Sequence, residues 1–148
     1  MKTVRFFIYS VGVLLLLTAS AKFISSAGTA RILLERDPVT GFQFRDLFRI
    51  VGGIETVVAL TCFFSKKRML PAGLAAWLGT GFVAYRFALW QSGWHKPCNC
   101  LGNLTDALHI SPQTADTAMK IILAYLLIGS YGALLWLWRQ RRQAAFGS

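Results

Sequence analysis

The chain has 148 residues, of which 55% are hydrophobic, and it carries a formal net charge of +10. This length fits one domain, and this composition is typical of a membrane protein rather than of a water-soluble one. The positive charge does not indicate nucleic-acid binding, because the basic residues stand at the ends of apolar runs and share no polar face with stacking aromatic residues.

Four apolar runs predict an all-α fold. Each run approaches the roughly 20 residues that a helix needs to cross hydrocarbon, and none has the alternating period of a membrane barrel strand. We therefore predict a single membrane domain over residues 1–148, built as an antiparallel bundle of four transmembrane helices. The helices are predicted at about residues 6–24, 48–64, 70–91 and 112–138, with outer loops at residues 25–47 and 92–111.

Basic clusters set the predicted orientation. They precede helix one, fill the turn after helix two and follow helix four, so all of them fall on one side: Lys2, Arg5, Lys66, Lys67, Arg68, Arg139, Arg141 and Arg142. Under the positive-inside rule that side is the cytoplasm, so we expect a multi-pass protein of the cytoplasmic (inner) membrane with both termini inside. An alternative reads the N-terminus as a signal peptide ending near Ala19-Ser20-Ala21, whose cleavage leaves three helices with the same loops outside.

Two local signals refine the outer side. In the first loop, Ile32-Leu33-Leu34 followed by Asp37-Pro38 and Gly41 indicates a short interfacial helix ended by a turn, in a position to cover the outer mouth of the bundle. In the third loop, Ser111-Pro112 reads as a helix cap followed by proline at the first helical position. Helix four is therefore expected to begin well before it enters lipid.

The third loop carries the candidate catalytic residues, Cys98 and Cys100. A disulfide between cysteines one residue apart closes a small strained ring, and strained disulfides accept electrons more readily than structural ones. The neighbouring His95 and Lys96 favour the reactive thiolate. A zinc or copper site of two thiolates with His95 and His109 is the alternative, although its C-x-C spacing is tighter than the usual C-x2-C, and our preferred interpretation includes no metal.

Charged residues inside apolar runs mark a second candidate feature. Ionisable groups in hydrocarbon are expensive, so Lys22, Glu55 and Arg86 are expected to face the bundle interior and to meet in its outer half, below the cysteine loop. A structural ion-pair cluster and a functional cavity both fit this pattern. If a quinone binds, we expect it between Arg86, Glu55 and Trp90. Cys62, near the other end of helix two, is expected to be a small buried apolar residue.

Short motifs carry a family resemblance. Ser20-Ala21-Lys22-Phe23, Gly53-Ile54-Glu55, Tyr85-Arg86 and Cys98-Asn99-Cys100-Leu101-Gly102 resemble, in order and in hydropathy, the MauE branch of the DoxX-like membrane proteins. The resemblance implies a four-helix bundle in the cytoplasmic membrane. It also implies a part in redox handling or disulfide formation in exported proteins, often beside a thioredoxin-like partner.

The predicted function is therefore that of a membrane thiol-disulfide redox protein or redox subunit. Its outward Cys98-Asn99-Cys100 element would exchange disulfides with a thioredoxin-like or exported protein, with a quinone as one candidate electron acceptor. The alternative is a non-enzymatic membrane assembly or chaperone subunit whose Cys/His loop binds a partner or a metal. The two interpretations differ on whether the chain is an enzyme.

Overall fold

The fold is all-helical, as predicted. The computed structural model describes residues 2–28, 31–93 and 111–146, and within these ranges it contains helices and no strand. Four long helices follow one another, with a short 3₁₀ helix between the first two: α1 (Lys2–Ser26), the 3₁₀ helix (Arg31–Leu34), α2 (Phe44–Phe64), α3 (Met69–Gln91) and α4 (Pro112–Phe146). All four long helices contain a segment that is long and apolar enough to cross a membrane. The chain is therefore a multi-pass membrane protein; which terminus faces which side stays a prediction.

The helices extend beyond the apolar runs at several ends. α2 begins at Phe44, within what hydropathy alone assigns to the loop, and α4 continues to Phe146. At the start of α4 the Ser111 hydroxyl accepts a hydrogen bond from the Thr114 amide at 3.2 Å, which caps one of the otherwise unpaired first-turn donors. Backbone hydrogen bonding can continue in water or at the membrane surface, so polar residues extend the helices past the hydrocarbon.

The hydrophobic core fills one half of the bundle. α1 packs mainly on α2, and α3 packs mainly on α4. The buried core residues come from the first half of α1, the last part of α2, the first half of α3 and the later part of α4: Val4, Ile8, Val11, Leu15, Val58, Ala59, Cys62, Ala72, Ala75, Leu78, Leu126 and Ala133. These segments all lie at the end of the bundle where α2 turns into α3.

Glycines allow two close approaches in this packed half. A Cβ atom added to Gly12 would lie 2.9 Å from the Phe63 ring, and one added to Gly129 would overlap the ring of Phe7. Aromatic rings of neighbouring helices thus occupy the space that a side chain would take, which is how small residues commonly serve helix packing in membranes.

The connection from α1 to α2 is compact. Leu33, in the 3₁₀ helix, is buried with 1% of its surface exposed. A tight turn follows, in which the Gly41 amide donates to the Asp37 carbonyl at 2.8 Å and the Asp37 amide donates to the Phe42 carbonyl at 2.8 Å. Gly41 has a φ of 74°, a backbone conformation that favours glycine. The turn therefore presents Asp37 toward the bundle.

Candidate functional site

A cavity of about 290 Å³ lies in the half of the bundle away from the α2–α3 turn. All four helices contribute to its wall, which is mostly aliphatic and aromatic. Five polar or charged side chains line it as well: Thr18, Lys22, Glu55, Tyr85 and Arg86. An apolar pocket with a few converging polar groups is the usual form of a small-molecule site in proteins.

A buried ion pair between α1 and α2 forms one polar wall. The Lys22 ammonium lies 2.7 Å from Oε1 and 2.9 Å from Oε2 of Glu55, and the Thr18 hydroxyl donates to Oε2 at 3.3 Å. Lys22 is 5% exposed and Glu55 is 1% exposed. Each charge thus has its counter-charge within hydrogen-bond distance, which offsets part of the cost of removing both from water. The Lys22 ammonium also lies 5.8 Å from the centre of the Phe82 ring on α3.

The third predicted residue, Arg86, lines the same cavity but has a different partner. Its guanidinium donates to Asp116 Oδ1 on α4, and the Lys120 ammonium contacts Asp116 Oδ2 at 2.8 Å. The three predicted charges therefore share one cavity but form two separate clusters. Sequence reasoning does not find Asp116, because this residue precedes the apolar run of helix four, in the part of the helix that is expected to lie outside lipid. Two features of the sequence point to this contact. Arg86 needs an acidic partner, and Asp116 lies in the first turns of α4, where the helix dipole favours anions.

A second missed residue, Asp37, joins the first connection to α3. The Tyr85 hydroxyl donates to Asp37 Oδ1 at 3.0 Å, and Asp37 Oδ2 accepts the Thr40 amide at 2.9 Å. Asp37 is 1% exposed, so both carboxylate oxygens are satisfied inside the protein. The sequence predicted the turn at Asp37-Pro38 but not that its carboxylate is buried against α3. The hydrogen bond from Tyr85 to Asp37 holds the first connection beside the cavity, because Tyr85 also lines the cavity.

Replacing Tyr85 with phenylalanine should loosen this connection. The change removes the hydroxyl and leaves one oxygen of a buried carboxylate without its donor. The loss of a hydrogen bond to a charged group costs about 1.5–3 kcal/mol. Faster cleavage of the 35–43 segment by a protease, with the four helices still folded, would be the readout. Tyr9→Phe is the control, because Tyr9 is 48% exposed and its ring contact with Phe63 does not need the hydroxyl. Equal cleavage rates in both variants would contradict the assigned role.

The cavity opens toward lipid between α2 and α3. Of the residues that line it, the exposed ones are Ile54 on α2 and Trp77 and Gly81 on α3. Trp77 is 63% exposed, and a Cβ atom added to Gly81 would meet no atom within 4 Å. A molecule dissolved in the bilayer can therefore reach the cavity from the side without crossing the polar connections.

Comparison with protein families assigns the chain. Residues 1–143 match the model of the family described as methylamine utilisation protein MauE. The chain belongs to the MauE family. No curated protein and no solved structure matches it. The MauE assignment agrees with the resemblance of the short motifs, and the match extends over nearly the whole chain.

In this MauE family member, several predicted site residues lie outside the part of the chain that the structure describes. They are Cys98 and Cys100, with His95 and the alternative ligand His109. Trp90 is described: it is 65% exposed, contacts the Phe87 ring at a centroid distance of 5.9 Å, and does not line the cavity. Of the three residues predicted to hold a quinone, Arg86 and Glu55 border the cavity and Trp90 does not, and the quinone position stays a prediction.

Cys62 lies away from this cavity. It is 5% exposed, not disulfide-bonded, and packed in the core near the end of α2. It packs against apolar core residues, as predicted, and it also borders a second pocket at this end of the bundle.

Proposed function

We propose that this MauE family member is a membrane thiol-disulfide redox protein. Its Cys98 and Cys100 exchange disulfides with a thioredoxin-like or exported protein, and the electrons pass to a quinone that enters the cavity from the bilayer. The observation that carries the proposal is a cavity that opens to lipid in the same end of the bundle from which the C-x-C segment departs. The extracytoplasmic location of that segment is part of the proposal.

The ion pair between Arg86 and Asp116 supports a close link between the cysteine segment and the cavity. Arg86 stands shortly before α3 ends at Gln91, and Asp116 stands shortly after α4 begins at Pro112. The segment with Cys98 and Cys100 joins these two helices. The pair thus ties together the two points from which the segment leaves and returns, and Arg86 also lines the cavity.

The exchange with the protein partner proceeds in two substitutions. A thiolate of the partner attacks one sulfur of the oxidised Cys98–Cys100 disulfide, so a mixed disulfide forms and the other cysteine leaves as a thiolate. A second partner thiolate then attacks the mixed disulfide. The partner leaves with a disulfide, and Cys98 and Cys100 remain as two thiols after protonation.

Reoxidation of the pair requires an acceptor for two electrons and two protons. Oxidation of two thiols to a disulfide releases both, and reduction of a quinone to a quinol consumes both, so the step balances. A quinone combines a ring that accepts hydrogen bonds with an apolar tail, which suits a mostly apolar cavity that opens to lipid. Arg86 has five N–H donors, and among described residues it contacts only Asp116, so it can donate to a quinone oxygen.

We assign Lys22 and Glu55 to the opposite polar wall of this proposed quinone site. Their charges compensate each other at 2.7 Å, so together they add hydrogen-bonding capacity with no net charge. Glu55 is the candidate for proton transfer, because a carboxylate next to the cavity can take up and release a proton. Trp90 is left out of the site because it is not part of the cavity wall.

The name of the family supports a role in methylamine utilisation. On this proposal, the partner is an exported protein of that process whose disulfides must be formed or exchanged. The proposal specifies the chemistry of the partner, a protein with a pair of accessible cysteines, and leaves its identity to capture of the mixed disulfide.

The redox state of Cys98 and Cys100 in isolated membranes tests the proposal. In a Cys62→Ala background the pair supplies the only thiols, so alkylation with a maleimide of high mass reports the pair alone. We expect dithiothreitol to open the disulfide and a short-chain ubiquinone analogue to restore it under anaerobic conditions. A parallel variant with Cys98→Ser cannot form a disulfide within the chain, so its alkylation should not respond to dithiothreitol or to the quinone.

The opposite result would favour the alternative function. If the pair stays reduced after the quinone is added, and zinc or copper then protects it from alkylation, the chain is a metal- or partner-binding assembly subunit rather than an oxidoreductase. Intact disulfides in exported proteins after Cys98→Ser or Cys100→Ser would also contradict the redox proposal.

A further inference from the structure

A second pocket lies at the other end of the bundle, where α1 begins and α2 turns into α3. Its volume is about 290 Å³. Three cationic side chains surround it, namely Arg5 from α1 with Lys66 and Arg68 from the turn between α2 and α3. The rest of the lining is mixed: Ile8, Tyr9, Cys62, Ser65 and Pro71. This pocket shares no residue with the cavity proposed for the redox function.

Arg68 takes part in an interaction of its own, so among the described residues the free positive charge at this pocket comes from Arg5 and Lys66. None of the lining residues is acidic. The acidic residues that the structure describes belong to the first connection, to α2 from its first turn to its middle, and to the start of α4: Glu35, Asp37, Asp46, Glu55 and Asp116. The side chains of Arg5 and Lys66 have no hydrogen-bond or ion-pair partner among described residues. No acidic side chain in the lining offsets these cations, so a bound anion would stabilise this end of the bundle.

The position of the pocket indicates where the anion comes from. α2 ends at Phe64 and α3 begins at Met69, so the turn with Lys66 and Arg68 lies at the level where a bilayer has its headgroups. Basic pockets between transmembrane helices are known to hold anionic lipid headgroups. Large apolar side chains beside the pocket face outward, with Phe6 74% and Phe64 80% exposed. They offer a surface for acyl chains directly below the cations.

We propose that the pocket formed by Arg5, Lys66 and Arg68 binds a phosphate group, as carried by the headgroup of an anionic phospholipid. The cations supply the charge, and the hydroxyl groups of Tyr9 and Ser65 line the same space and can add hydrogen bonds. A water molecule takes up about 30 Å³ in the liquid, so a cavity of this size accommodates a phosphate with several attached atoms. The site is independent of the redox proposal.

Cys62 provides a local reporter of occupancy because it lines this pocket. In a chain with Cys98→Ser and Cys100→Ser, Cys62 is the only thiol, and its rate of reaction with methyl methanethiosulfonate can be followed by mass. The measurement is made in phosphatidylcholine bilayers, with phosphatidylglycerol of the same acyl chains added in one arm and inorganic phosphate in another. We expect phosphatidylglycerol to slow the reaction in a saturable manner.

The variant Arg5→Gln/Lys66→Gln should weaken the protection. Each cation near a membrane surface contributes about fivefold to binding of an anionic lipid, so the pair should raise the half-saturating phosphatidylglycerol fraction about 30-fold. Arg139→Gln/Arg141→Gln is the matched control, because it removes the same charge from the same predicted side but from residues that do not line the pocket. The control should change the half-saturating fraction by less than about twofold.

The outcomes separate the sources of the phosphate and can overturn the site. Protection by phosphatidylglycerol alone identifies a lipid headgroup, and equal protection by inorganic phosphate identifies a soluble anion; both support the pocket. Reaction rates with both anions equal to the rate in pure phosphatidylcholine, or equal weakening by the two double variants, would overturn it. Unfolding temperatures of all variants, taken in parallel, separate loss of binding from loss of structure.

Discussion

Replacing Lys22 with methionine is expected to lower the free energy of unfolding by about 3–5 kcal/mol, because it leaves the Glu55 carboxylate buried without its counter-charge. Glu55 is 1% exposed, and its two oxygens lie 2.7 and 2.9 Å from the Lys22 ammonium. After the substitution the Thr18 hydroxyl, at 3.3 Å, is the one donor to the carboxylate that remains among the described residues. Unfolding of the purified protein by dodecyl sulfate in mixed micelles measures the change.

The double variant Lys22→Met/Glu55→Leu distinguishes a structural pair from a functional one. Removing both charges leaves an apolar contact, so most of the stability should return. If the pair only holds α1 on α2, quinone-dependent oxidation of Cys98 and Cys100 returns with it; if the pair serves the redox site, stability returns and oxidation does not. Equal loss of stability in single and double variants would contradict coupling between the two residues.

An exposed ion pair supplies the control. Arg49 Nη1 and Asp46 Oδ1 are 4.0 Å apart, and both side chains are more than half exposed. Such pairs contribute about 0–1 kcal/mol, so Arg49→Met should change stability by far less than Lys22→Met. A similar loss in both variants would indicate that lost charge, rather than an uncompensated buried charge, causes the effect.

The helices were predictable because hydrophobic length is a local property. Each apolar run had to form a helix to satisfy its backbone in lipid, and the pairing of Lys22 with Glu55 follows from the same reasoning, since both residues interrupt such runs. Polar residues flanking the runs carry no comparable constraint. The predicted bounds are therefore less accurate at two helix ends. α2 begins at Phe44 rather than at about residue 48, and α4 continues to Phe146 rather than to about residue 138.

The site was predictable only in part, because two of its contacts depend on which polar residues meet across long sequence separations. Arg86 was expected beside Glu55, yet α4 places Asp116 closer to it. Asp37 belongs to a recognisable turn motif, but only the packing of that turn on α3 brings its carboxylate to Tyr85. No periodicity or spacing encodes these choices. The cavity itself is a consequence of helix packing that the sequence does not display.

The two ends of the bundle differ in a way that connects the fold with the proposed chemistry. The end with the α2–α3 turn has an apolar core beside a pocket lined by basic side chains, whereas at the other end Lys22, Glu55 and Arg86 line a mostly apolar cavity among all four helices. Buried ion pairs are costly compared with apolar contacts, so a chain that needed only a stable bundle would gain little from them. The buried Lys22–Glu55 pair lies on the wall of a cavity that opens to lipid, as a binding site requires.

Replacing Gly81 with tryptophan should close the opening of the cavity without unfolding the bundle. Gly81 is exposed, lines the cavity, and has no atom within 4 Å of an added Cβ, so the new ring finds room beside Ile54 and Trp77. If the tryptophan weakens quinone binding by about 1.4 kcal/mol, the occupancy of the cavity at low quinone concentration falls about tenfold. We therefore expect the rate at which a quinone reoxidises Cys98 and Cys100 to fall about tenfold or more.

The comparison with Gly132→Trp makes this test specific. Gly132 is an exposed helical glycine on α4, an added Cβ there also meets no atom within 4 Å, and it does not line the cavity. Both variants should keep the unfolding profile of the parent chain, and both should exchange disulfides normally with a reduced thioredoxin, because that step occurs at the cysteine segment. Only Gly81→Trp should slow reoxidation by quinone. Reoxidation at the parental rate in Gly81→Trp would show that electrons leave by another route, since the cavity would then be blocked while the redox cycle continued.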